Sequence, residues 1–148
     1  MSHSGMQDPF GLSRFLNAQA AVMPAVEAEL RAGHKSSHWM WFIFPQLRAL
    51  GRSSTALHFG ITGIAEARAF LGHPVLGPRL VACAGMVLSH AGRSTAHAIF
   101  GSPDDVKLRS SMTLFAATDP AEPVFTAVLD AFFAGEADPL TARLLDAG

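Results

Sequence analysis

FGSPDDVKLRSSMTLF, residues 100–115, carries a strong helix signature. Gly101 and Pro103 stop any preceding element. Ser102 stands where a side chain can accept hydrogen bonds from the first free amides of a helix, and a proline at the first helical position has no amide to leave unpaired. Asp104 and Asp105 then complement the positive end of the helix dipole. At about 100° per residue, Leu108, Met112 and Phe115 fall on one apolar stripe, while Asp104, Lys107 and Ser111 follow its border at i, i+3, i+7. The segment predicts a helix over 103–117.

The same punctuation recurs along the chain. Asp8-Pro9, Asp119-Pro120 and Asp138-Pro139 each place a capping side chain before a proline, and His73-Pro74 opens a further helix with a weaker cap. The pattern predicts helices over 9–32, 64–71, 74–90, 94–100, 103–117, 120–134 and 139–146. Pro24 kinks or splits the first of these, because proline removes a ladder hydrogen bond and clashes with the preceding turn. Gly33, Gly72, Gly92, Gly101 and Gly135 sit at expected helix ends. No segment alternates apolar and polar residues for long, and there is no Asn-Gly or Asp-Gly hairpin turn. The run Trp39 to Phe44 reads either as a buried strand or as a one-turn buried helix capped by Ser36 or Ser37. The expected architecture is therefore all-α, a bundle of about six to seven helices with the Trp/Phe-rich segment in its core. One short echo, GRSSTALHFG (51–60) against GRSTAHAIFG (92–101), leads into a helix each time and is ascribed to coincidence among small residues.

The whole chain has 148 residues, which suits one domain, taken as 8–148 after a disordered 1–7. Hydrophobic residues make up 49% and charged residues 16%, a composition that excludes intrinsic disorder. A net charge of −1 excludes a nucleic-acid duplex binder by bulk charge. The lone cysteine, Cys83, excludes an internal disulfide framework and every zinc site built on paired cysteines; in its apolar helix it reads as a small buried hydrophobe. The first residues lack a secretory pattern, and no apolar run approaches the roughly 20 residues that span a bilayer, so the expectation is a cytoplasmic protein with no membrane partner.

Charge is unevenly spread. Between Leu30 and Pro103 lie seven bases (Arg31, Lys35, Arg48, Arg52, Arg68, Arg79 and Arg93) and the single acid Glu66, together with six of the seven histidines. Such a segment either gathers into a site for an anion or spreads as a solvated surface.

Two blocks carry the candidate chemistry. KSSHWMWFIFPQ, residues 35–46, holds both tryptophans. His38 and Trp39 lie at its polar edge, where an indole face suits stacking on a planar ligand; Trp41, Phe42 and Phe44 read as core anchors. Gln46 closes the run. In the second block Asp104 is a candidate general base, His38 the alternative proton carrier, and Lys107 and Ser111 candidate ligand contacts, with Arg52 as an added cation. Ordinary helix capping and an i, i+3 ion pair account for the same acids without any ligand. His34 and His38 have metal-pair spacing, but Gly33 and the two serines oppose a helix there, so no metal is expected. No dinucleotide fingerprint, phosphate loop or nucleophile elbow is present, and no cofactor is expected.

KSSHWMWFIFPQL, EARAFLGHPVLGPRL and IFGSPDDVKLRSSMTLF together resemble the bacterial family filed as domain of unknown function 1810, sometimes labelled "calpastatin". The resemblance runs from about Asp8 to Leu145 and implies a mainly helical fold with no established activity. The inhibitor label does not suit a globular composition. A second, shorter similarity is to NADAR-type ADP-ribose-processing proteins, on Trp39 to Phe44, Ala69 to Leu80 and Phe100 to Asp104. The early glutamate of that family is absent here, so no catalytic role is carried over.

The expectation is a pocket between the 35–46 and 100–115 blocks that binds a small anionic, nucleotide-like or ADP-ribose-like ligand. If turnover occurs, the reaction class is hydrolysis or transfer at a glycosidic or phosphate bond. The alternative is a non-enzymatic interaction module or homodimer that uses surplus apolar surface.

Overall fold

A computed structural model describes residues 8–147; the expected disordered segment 1–7 lies outside the described residues. Ten helices are present among them: α1 (Ser13–Ala20), α2 (Met23–Ala32), α3 (Met40–Ile43), α4 (Ser54–His58), α5 (Ile64–Gly72), α6 (Leu76–Leu88), α7 (Ala96–Phe100), α8 (Asp104–Thr118), α9 (Pro123–Phe133) and α10 (Pro139–Ala147). A short 3-10 turn, Arg48–Leu50, lies between α3 and α4. The fold is all-α, with no strand among the described residues and a single parallel bridge between Leu47 and Ile61.

The local chemistry explains where each helix starts. Asp8 does not open a helix at residue 9; its carboxylate accepts from the amides of Leu12 (2.6 Å) and Ser13 (3.0 Å), and α1 begins at Ser13. Hydrogen bonding from Ser13 holds the Asp8 carboxyl below its usual range. Pro24 splits the first predicted helix, since α1 stops at Ala20 and Pro24 sits in the first turn of α2. Gly33, at φ 74°, closes α2 in the left-handed conformation. His73 caps α6: its Nδ1 accepts from the amides of Val75 (3.1 Å) and Leu76 (3.2 Å).

Other starts differ from the expected caps. Asp119-Pro120 makes a turn, and α9 starts later, where Glu122 accepts from the Val124 amide ahead of Pro123. Ser102 makes no side-chain cap for α8. Gly72 ends α5 from within, and His73 is the capping position. The ambiguous run is a one-turn helix, α3, without a serine cap: the amides of Ser36 and Ser37 point instead to the Glu29 carboxylate.

α8 is the central element and packs on α5, α7, α9 and α10, while α6 packs on α2, α5 and α9. Phe15, Phe70, Phe115 and Phe125 form a buried aromatic ladder from α1 through α5 and α8 to α9, with successive ring centroids 5.0, 5.6 and 5.8 Å apart. A second cluster joins Trp39, Phe44 and Phe100. The Trp/Phe-rich segment thus contributes to the core as expected.

The 58–66 connection, which backs the site described next, is held by a polar clamp. The Arg14 guanidinium donates to the carbonyls of Phe10, Gly11, His58 and Gly60 and to the buried Glu66 carboxylate at 2.8 Å. Glu66 also accepts from the Thr62 amide and hydroxyl. A buried ion pair stabilises only when its remaining lone pairs and protons are satisfied, and this one meets that condition.

Candidate functional site

A cavity of about 370 Å³ opens between α3, the turn-and-helix segment 46–60 and the first turns of α8. Trp41 and Lys107 face it from one side, Leu47, Leu50, Ala56 and Phe59 give apolar wall, and Gln46, Arg52 and Ser53 supply polar groups. Its size falls near the lower end of ligand pockets, about 300–1,000 Å³. Gln46 and Ile61 are paired backbone to backbone (2.8 Å), as are Arg48 and Ile61 (2.8 Å), so the two edges of the 46–61 loop lie side by side. That close approach requires glycine at 60, because a Cβ there would meet the Arg48 Cα at 2.5 Å.

Lys107 is the focal group. Its ammonium lies 3.7 Å from the centroid of the Trp41 ring, a cation–π contact, and 3.3 Å from Asp104 Oδ1. The other oxygen of Asp104 is 2.8 Å from the Lys35 ammonium, whose side chain is only 7% exposed. Lys35 also approaches the Trp39 ring at 5.1 Å, and its amide donates to the Ile99 carbonyl (2.7 Å), which seats the coil after α2 against the end of α7. Two ammonium groups therefore share one carboxylate. Arg52 is exposed at the cavity rim and forms no ion pair among the described residues.

Of the residues singled out in the sequence, Gln46, Arg52 and Lys107 meet at this cavity, and Asp104 stands behind Lys107. Trp39 does not reach it. The indole is 1% exposed, packed against Phe44 and Phe100, and its Nε1–H donates to Glu29 Oε1 at 2.9 Å. Its face is covered, so the aromatic surface of the cavity comes from Trp41, the tryptophan read as a core anchor. His38 is exposed on the coil before α3 and does not line the cavity; His34 is likewise exposed, beyond the end of α2, so the two share no helix face. Ser111 is fully buried one turn beyond Lys107, its Oγ without a hydrogen-bond partner among the described residues. Cys83 is buried, and burial pushes its thiol up to about 12.

Sequence reading missed three groups that build the site. Trp41 reads as a core anchor in the sequence. Lys35 was one base among seven in a linear cluster. Glu29 was not singled out at all, yet it organises the whole 35–39 segment, accepting from the Ser36 amide, the Ser37 amide and hydroxyl, and the Trp39 indole. Burial raises the Glu29 carboxyl, but these hydrogen bonds, led by the Ser37 hydroxyl, outweigh it and bring the pKa down to about 2.

No single helix among the described residues is long and apolar enough to cross a membrane. The crystal structure of the conserved hypothetical protein Rv1873 from Mycobacterium tuberculosis is 52% identical in sequence and has a TM-score of 0.91, covering 94% of this chain and 99% of that one. None of the curated proteins matches the chain. The model of the family described as protein of unknown function (DUF1810) matches residues 9–145, and the chain belongs to that family.

Proposed function

We propose that this protein binds a small anion carrying a planar or apolar body, nucleotide-like in character, in the cavity between α3, the 46–60 segment and α8. The observation that carries this reading is the Lys107 ammonium held over Trp41 at the wall of a cavity that Arg52 also borders. Two cations beside apolar wall suit an amphipathic anion: the charge meets Lys107 and Arg52, and the body displaces water from Leu47, Leu50 and Phe59. Binding rather than proton abstraction suits Asp104, since both its oxygens lie against ammonium groups. The interaction-module alternative has less support. Among the described residues the exposed large apolar side chains are Leu57, Val75, Val106 and Leu140, one from each of four separate segments.

Thermal-shift measurements with AMP, ADP-ribose and adenosine test the reading. A ligand present at a hundredfold over its Kd adds about 2.7 kcal/mol, which raises Tm on the order of 5–10 °C for a chain of this size. The phosphate-bearing compounds are expected to raise Tm, and Lys107→Met and Arg52→Met to abolish or blunt the rise. If no compound moves Tm at millimolar concentration, the proposal fails.

A further inference from the structure

We infer that Asp104 is a positioning residue for this cavity and that Lys35 acts through it to set the charge: the shared carboxylate fixes the Lys107 ammonium over Trp41, and the triad keeps one positive charge in excess, so that with Arg52 the cavity prefers a doubly charged anion such as a phosphate monoester. This rests on the binding reading above for the ligand preference, but not for the positioning.

Lys35 is 7% exposed and Asp104 18%, so their 2.8 Å contact is a largely buried pair that fixes the carboxylate. Removing one partner of such a buried pair leaves an uncompensated charge and is strongly destabilising. The same carboxylate reaches Lys107 through its other oxygen at 3.3 Å, one helical turn along α8. Lysine has a flexible four-carbon stem, and two contacts, Asp104 on one side and the Trp41 ring on the other, hold its head in one place.

The charges then add simply. Lys35 and Lys107 against Asp104 leave +1, and Arg52 brings the cavity to +2. Asp105, the neighbouring acid, does not line the cavity and turns its Oδ2 toward α7, 3.4 Å from His97. Were Lys35 absent, Asp104 would neutralise Lys107 alone and the cavity would present +1. The buried lysine, which lines no part of the cavity, thereby sets how strongly a second negative charge on the ligand is rewarded.

Two measurements test this on the full chain. The first needs no ligand. In the wild type the Lys107 Hε protons lie over an indole ring and are expected upfield of ordinary lysine in NMR spectra. Lys35→Met keeps the Asp104–Lys107 contact and should keep that shift. Asp104→Asn alone strands the Lys35 charge and could fail to fold, so the decisive variant is Lys35→Met/Asp104→Asn, which leaves no unpaired buried charge; its Lys107 protons should return to the ordinary range. An upfield shift that persists in the double variant overturns the positioning role. The second titrates AMP and adenosine, read by calorimetry. Lys35→Met should weaken AMP about fivefold, the effect of one charge at partly screened distance, and leave adenosine unchanged. Equal AMP affinity in the wild type and Lys35→Met overturns the dianion preference. A wild type that binds neither compound removes the binding reading and the preference together, while the NMR arm still decides the role of Asp104.

Discussion

Removing the charge of Glu29 should produce a stability loss that depends on pH in a particular way. The Glu29 carboxylate accepts three hydrogen bonds on Oε1, from the Ser36 amide (2.8 Å), the Ser37 amide (3.0 Å) and the Trp39 indole (2.9 Å), and one on Oε2 from the Ser37 hydroxyl (2.5 Å). Its pKa falls from 4.5 to about 2. That depression corresponds to about 3.4 kcal/mol at most, and because the side chain is partly open to solvent about 2 kcal/mol is the better figure. Glu29→Gln can keep the three donors on Oε1 and donate its own amide to the Ser37 oxygen. It loses the ionic part alone, about 2 kcal/mol, or on the order of 4–8 °C in Tm at pH 7. Glu29→Ala also leaves the buried Trp39 N–H without an acceptor, which adds about 1–3 kcal/mol.

The pH dependence separates this account from mere packing damage. The folded carboxyl titrates below the unfolded one, so the unfolded chain takes up the proton first as pH falls. The contribution is whole above about pH 5 and drains away toward pH 2, with less than half remaining at pH 3. Urea unfolding of the wild type and Glu29→Gln, followed by circular dichroism at pH 7 and pH 3, should show the gap between them shrink by more than half. A gap that stays constant with pH, or that is absent at pH 7, would refute the assignment of Glu29 as an ionised hub.

Two further outcomes follow from packing. Gly77→Ala should destabilise by at least about 2 kcal/mol, because the new Cβ would lie 2.0 Å from the Leu71 carbonyl oxygen where α6 crosses the end of α5; Gly85→Ala in the same helix, with nothing within 4 Å, should instead stabilise by about 0.5–1 kcal/mol, and thermal unfolding of the pair checks both. Cys83, 1% exposed and pushed up to about 12, should resist a thiol reagent such as DTNB at pH 8 in the folded protein and react at once in denaturant.

Helix punctuation was largely legible because its causes are local. Asp138 caps α10 by accepting from the Thr141 amide (2.9 Å) and hydroxyl (2.6 Å), as an Asp-Pro start should. The misplacement at Asp119-Pro120 has an equally local reason. Two prolines lie three residues apart, and Glu122 before the second offers the better acceptor. The same holds for α4, hidden in GRSSTALHFG: Ser53 accepts from the Ala56 amide just as Thr95 accepts from Ala98 in the matching stretch, and the echo was a pair of capped one-turn helices.

The site was harder to read because its deciding contacts are not local. Trp39 and Trp41 lie two residues apart beside one turn of helix, too short for periodicity to say which faces inward. What decides it is Glu29, on the preceding helix, which gives the Trp39 N–H a buried acceptor and so permits that indole to be enclosed without an unsatisfied donor. Trp41 has no such partner and meets Lys107 instead, across from α8. The i, i+3 spacing of Asp104 and Lys107 was visible and correctly paired, but the spacing alone describes a surface ion pair worth a few tenths of a kcal/mol. It becomes part of a site only through Lys35, sixty-nine positions before Asp104, which is buried against the same carboxylate. Of the residues that looked most like chemistry by type, Trp39 anchors the chain in the core and His38 lies exposed outside the cavity. The proposed binding site lies where an ordinary helical salt bridge is completed by a distant buried charge and an aromatic face.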